Sequence, residues 1–255
     1  MTPWLEHILA HAMPIGLRAG GLMTFAPFFG DEAIPARVKA GFTLVLTAIL
    51  YGIVPVQDMA LNPANWIPIV ATEAVVGMMM GLSVRLVIDG MQVAGQLAGA
   101  QLGFSLAAII DPQTNIDTPV LAVLHQMIAL LIFLQFDVHH WLLRGVVKSF
   151  DYLPVGTAVI NLATVRQLVH SAAAMWMIGV QIAAPVLLAT MLVDLTVGFL
   201  SKASPQFPAL LLGISTKSLV GYLMLATAAA LWPHFLEGQF SNALSWGEKM
   251  LHLAH

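Results

Sequence analysis

The sequence predicts an all-α, polytopic membrane protein, and three observations carry that prediction. Of 255 residues, 59% are hydrophobic and 9% charged, and the mean hydropathy is +0.86. Charge-free runs of membrane-spanning length recur along the chain. Those runs are rich in Leu, Ala and Met and show no sustained period-2 alternation, which favours helices over strands. Soluble domains carry about 25% charged residues, so 10 Lys+Arg and 13 Asp+Glu cannot coat a soluble globule of 27.3 kDa. Lipid or sister subunits must cover the surface.

Taken in chain order, charges punctuate the segments. Residues 8–30 qualify as a span only by admitting Arg18, and residues 66–88 only by admitting Glu73 and Arg85. Uncharged runs cover 40–57, 90–110, 118–136, 167–193 and 218–236, with lengths of 18, 21, 19, 27 and 19 residues. A helix needs about 20 apolar residues to cross a bilayer. The count is therefore five to seven spans, with six as the compromise. A charge at the bilayer centre costs about 2.5–3.5 kcal/mol, so the helices holding Arg18, Glu73 and Arg85 are expected to face a bundle interior or a partner.

Turn chemistry separates the segments at Pro27–Asp31, Asn62–Asn65, Asp111–Asn115, Tyr152–Gly156 and Ser204–Gln206. Fourteen prolines in so apolar a chain predict kinked or interrupted helices. No linker divides the chain, so residues 1–255 are read as one domain with a short tail from about 237 to 255. The basic residues are spread almost evenly and give only a weak vote for a cytoplasmic 31–39 loop. No cleavable signal peptide is expected, because Glu6 precedes the first basic residue, Arg18.

Small residues recur at helical spacing in Gly77/Gly81 and in Gly95/Gly99/Gly103. Such ladders let helix backbones approach closely in lipid. The three-rung ladder, beside Gln92, Gln96 and Gln101, is read as the stronger sign of a buried helix.

Several function classes are excluded. A net charge of −3 offers no basic face for nucleic acid. The absence of cysteine removes thiolate metal sites and cysteine nucleophiles. No HExxH, GxSxG or P-loop occurs. His139 and His140 are adjacent, and their side chains are expected to diverge by about 100° on a helix, while His7 and His11 lack a third ligand. No metal, cofactor or catalytic site is therefore expected. Glu73 and Asp194 lie inside apolar stretches, where acids serve either proton relay or ion pairing. Pairing is favoured, with Arg18, Arg85, Lys202 and Lys217 as available partners; Asp194 and Lys202 are two helical turns apart. Met78–Met80 reads first as core filling, and otherwise as a soft contact to a moving neighbour. Residues 103–119 run from an apolar stretch into a polar, proline-bounded loop, which is either a pore-lining or plugging element or a surface turn.

At this loop the chain resembles the flagellar type III export-gate protein R (FliR) family, which is homologous to the injectisome T-subunit. The stretches that carry the likeness are Arg18, Ala26–Phe29, Ile34–Lys39, Gly99–Ser105 and Asp111–Gln113. Further along they are His139, Leu142–Arg144, Ser149–Phe150, Leu153–Gly156, Pro185, Val193–Leu195, Gly198, Ser201–Gln206, Gly213, Lys217 and Gly221. They span roughly residues 15–225, and their order and spacing are more specific than any one of them.

The resemblance implies kinked helical hairpins built into a hetero-oligomeric export gate in the bacterial inner membrane, at the flagellar basal body. It implies no enzymatic activity and no cofactor. It also implies a single copy assembled with several P and Q gate subunits, contact with the B and A export components, and passage of unfolded rod, hook and filament subunits. In such a gate, Phe104–Thr118 maps onto a loop that plugs the closed channel, with Phe104, Ser105, Ile109, Ile110, Asp111, Pro112, Gln113, Asn115 and Asp117 as its candidate residues. The tip, Thr114-Asn115, departs from the Gly- or Ser-rich turn of the family. Arg18, Arg37, Lys39, Glu73, Arg85, Asp194, Lys202 and Lys217 are the candidate inter-helix or inter-subunit charges. The competing readings are a small proton-coupled transporter using Glu73 and Asp194, and an injectisome homologue.

Overall fold

Every regular element among the described residues is an α-helix in the computed structural model, which describes residues 3–31, 34–54, 63–104, 120–159, 161–204 and 209–253. The helices are α1 (Pro3–Phe25), α2 (Ala36–Tyr51), α3 (Pro63–Gln101), α4 (Val120–Gln135), α5 (Val138–Tyr152), α6 (Leu162–Ala203), α7 (Ala209–Ala229) and α8 (Trp232–Leu253).

Local chemistry explains their ends. Pro35, with no N–H to leave unpaired, precedes the first turn of α2. Asn161 opens α6 by accepting the backbone N–H of Thr164 on its side-chain oxygen at 2.9 Å. Asp137 takes the left-handed conformation (φ 54°) that Asp tolerates better than most residues, and α4 and α5 meet there at 64°. Hydroxyls inside the apolar helices bond back to their own turns, as Thr190 does to the Val186 carbonyl at 2.8 Å.

The count of spans is a correction. Among the described residues, three helices are long and apolar enough to cross a membrane, or four if the bent α4–α5 pair is one span, against the six expected. Runs 66–88 and 90–110 merge, because α3 continues for 39 residues through Glu73, Arg85 and Asp89. The runs at 40–57 and 118–136 yield helices of only 16 residues. A break at residues 230–231 divides 218–236 between α7 and α8.

The chain forms two compact units. The first comprises residues 1–86, 133–172 and 239–255, and the second residues 87–132 and 173–238. In the first, α1 and α3 touch through backbone. A Cβ on Gly77 would meet the Arg18 carbonyl, and one on Gly81 would lie 2.8 Å from Ala26 N and Leu22 O. The α5 helix in this unit buries Val138, Leu142, Val146, Ser149 and Phe150, one helical stripe.

In the second unit Ala98, Leu102, Leu121 and Val186 form a buried cluster beneath Met224 and Leu225. Gly95 lies against Leu121 and Ala122 of α4, where an added Cβ would be 2.5 Å from the Leu121 carbonyl oxygen. Gly103 is not a third packing rung. It lies beyond the end of α3 with φ 92°, a turn conformation suited to glycine.

A buried charge centre as the candidate functional site

Arg18 sits midway along α1 and is completely buried, as is Glu73 on α3. Their pairing resolves the cost that the sequence assigned to each charge. Arg18 Nη2 lies 2.6 Å from Glu73 Oε2, and Nε donates to the same oxygen at 2.7 Å. The remaining donors reach the end of α5. Nη1 bonds Ser149 Oγ at 3.0 Å, and Nη2 bonds the Leu153 carbonyl at 3.0 Å. The guanidinium also lies 4.0 Å over the Phe150 ring.

Glu73 is held from its other side. Its Oε1 accepts the backbone N–H of Gly156 at 3.0 Å, in a turn where Gly156 has φ 77°. A charge taken out of water costs several kcal/mol unless its partners are well placed. Here both carboxylate oxygens and three guanidinium nitrogens are engaged. The cluster joins α1, α3, α5 and the turn after α5, all within the first unit. Chemically it is a structural lock, since neither oxygen of Glu73 is left without a donor.

The second embedded acid, Asp194 on α6, pairs with Lys217 on α7 at 2.7 Å. Lys202 is therefore not its partner, despite sharing a helix with it; Lys202 is exposed in the last turn of α6, where a cation suits the helix dipole. Asp194 is half-exposed and not enclosed in a core. Arg37 is exposed and Lys39 part-buried at the start of α2, and Arg85 is part-buried on α3.

Of the candidate plug residues, Ser105, Ile109, Ile110, Asp111, Pro112, Gln113, Asn115 and Asp117 lie outside the described residues. Phe104 is described: it is exposed and packs edge-on to Tyr222, with centroids 6.4 Å apart.

Two features escaped the sequence reading. Ser149, Leu153 and Gly156 complete the charge centre. Their only signal was membership of the stretches Ser149–Phe150 and Leu153–Gly156. The adjacent histidines also fail to diverge. Their ring centroids are 4.1 Å apart, and Asp137, His139 and His140 offer donor atoms all within 4.8 Å of one another. The left-handed Asp137 at the helix start turns its carboxylate toward both rings, with His140 Nδ1 at 3.1 Å.

The convergence of Arg18, Ser149 and the Leu153–Gly156 turn on one centre ties together stretches scattered through the sequence. Residues 9–243 match bacterial export proteins, family 1. The chain belongs to that family. This export protein is 31% identical over 212 residues to the flagellar biosynthetic protein FliR of Bacillus subtilis, covering 82% of each chain. It is 27% identical over 239 residues to the FliR of Escherichia coli K12, covering 94% of this chain and 91% of that one. The FliR of Aquifex aeolicus is 22% identical over 222 residues. A transporter reading that needs a free Glu73 carboxylate finds both of its oxygens engaged.

Proposed function

We propose that this export protein is a core, channel-forming subunit of a flagellar type III export gate, passing unfolded rod, hook and filament subunits across the bacterial inner membrane. The family match over 9–243 carries the reading, and the flagellar names of the relatives favour it over the injectisome alternative.

The surface supports assembly with other components. The window of α7 over Leu212–Ala229 is only 6% buried within the chain. Leu188, Leu192, Leu195 and Phe199 on α6 and Leu219 and Leu223 on α7 are also exposed. An apolar area of this extent needs lipid or sister subunits. The P and Q gate subunits are the proposed neighbours, followed by the B and A export components, with one copy of this chain per gate. The chain acts as one functional domain, 1–255, without catalytic or cofactor chemistry of its own.

In this reading the segment Phe104–Thr118 closes the resting channel. Arg37, Lys39 and Lys202 offer exposed or part-exposed charges for neighbouring subunits.

Purification of the tagged chain in mild detergent tests the assembly. Recovery of the P and Q subunits is expected, and a chain that elutes free of both overturns the reading.

A further inference from the structure

A groove in the first unit is not used by the charge centre. It has a volume of about 280 Å³ and lies where α3, α5 and α8 meet. Two glycines help to open it. A Cβ on Gly145 of α5 would come 3.3 Å from Met80 Cε, and one on Gly247 of α8 would come 3.4 Å from Ser83 Oγ. Met80 and Leu244 give the groove an apolar lining.

The α5 wall has a different character. Trp141, Arg144, Lys148 and Tyr152 follow one another at helical spacing, on a stripe apart from the buried Val138–Leu142–Val146 face. Neither Arg144 nor Lys148 is paired with a carboxylate among the described residues. The one acidic residue of the lining, Glu248, belongs to α8. Trp141 and Tyr152 are 39% and 40% exposed and bracket the two cations, about 16 Å apart along the helix at 1.5 Å per residue.

We propose that this groove holds one anionic phospholipid, with an acyl chain over Met80 and Leu244 and the phosphate against Arg144 and Lys148. Two physical points select that occupant. Basic pockets between helices of membrane proteins suit acidic head groups. Trp and Tyr favour the level of the head groups, where an apolar ring meets water. The inference concerns a lipid of the surrounding bilayer and does not depend on what the gate exports.

Native mass spectrometry of the full-length chain, purified with its companion subunits, tests the site. The preparation is delipidated and then given phosphatidylglycerol or phosphatidylcholine. One phosphatidylglycerol per chain is expected, with phosphatidylcholine held at least tenfold more weakly. Arg144→Gln together with Lys148→Gln is expected to weaken phosphatidylglycerol retention tenfold or more. Arg166→Gln, an exposed cation outside the groove, is expected to leave it unchanged. A thermal melt accompanies each variant, and Lys148→Gln alone serves if the double variant is unfolded. Equal retention of both lipids, no effect of removing the cations, or full displacement by inorganic phosphate overturns the proposal. So does a photo-crosslinker at position 141 that captures a companion subunit instead of lipid.

Discussion

Arg18 and Glu73 are 55 residues apart in sequence, yet two guanidinium nitrogens of Arg18 converge on one carboxylate oxygen of Glu73, at 2.6 and 2.7 Å. Both side chains are wholly buried. The other Glu73 oxygen is held by Gly156, and the remaining Arg18 donors by Ser149 and Leu153. Each charge would be costly alone, so the pair makes the positions of α1, α3 and the end of α5 interdependent.

Removing one partner is expected to harm more than removing both. Arg18→Met leaves Glu73 buried without its cation, at a cost of roughly 3–5 kcal/mol. The double variant Arg18→Met/Glu73→Leu should recover much of that loss, because two apolar side chains leave no unpaired charge. Thermal melting of the detergent-solubilised complex checks this. A double variant as unstable as Arg18→Met would contradict the lock.

Gly77 should accept no side chain. A Cβ there would meet the Arg18 carbonyl, which is backbone and cannot rotate away. Gly77→Val is expected to separate α1 from α3 and to lower the amount of folded chain in membranes severalfold. Gly41 has nothing within 4 Å of an added Cβ, so Gly41→Ala should be tolerated. Quantitative immunoblotting of the two variants beside the wild type reads the difference.

Asp194 and Lys217 form a pair of a different kind. Their side chains are 52% and 20% exposed, and exposed pairs contribute about 0.2–1 kcal/mol. A double-mutant cycle on chain stability should return a coupling in that range. Asp194→Lys should weaken the contact of α6 with α7, and adding Lys217→Asp should restore it. Failure of the swap to restore stability would show that the pairing is not what matters at these positions.

The proposed closure segment gives a prediction about leak. Deleting residues 106–116 should make membranes containing the gate permeable to small ions, read as growth inhibition in high salt or as dye-reported flux in vesicles. An unchanged leak would remove the plug assignment.

The helical class was legible because composition and the absence of alternation act locally. The spans are not, because a charge inside an apolar run does not mark the end of a helix. Asp89 interrupts an apolar run in the sequence, but α3 continues straight through it. Pairing across 55 residues leaves no periodic trace, so Arg18 and Glu73 could be marked as costly but not matched. Helical spacing offers Asp194 Lys202 as one of several candidates, whereas a neighbouring helix supplies Lys217. Gly77 and Gly81, ranked below the Gly95 ladder, are both in backbone contact. The His139–His140 geometry is not legible in the sequence, because the expected divergence assumes free side chains and Asp137 lies near both rings.

The most direct test of an export-gate subunit is the fate of export substrates in cells lacking this chain. Secretion of hook and filament subunits into the medium should cease while the same proteins persist inside the cell, and plasmid-borne wild type should restore it. Undiminished secretion from the deletion strain would contradict the account.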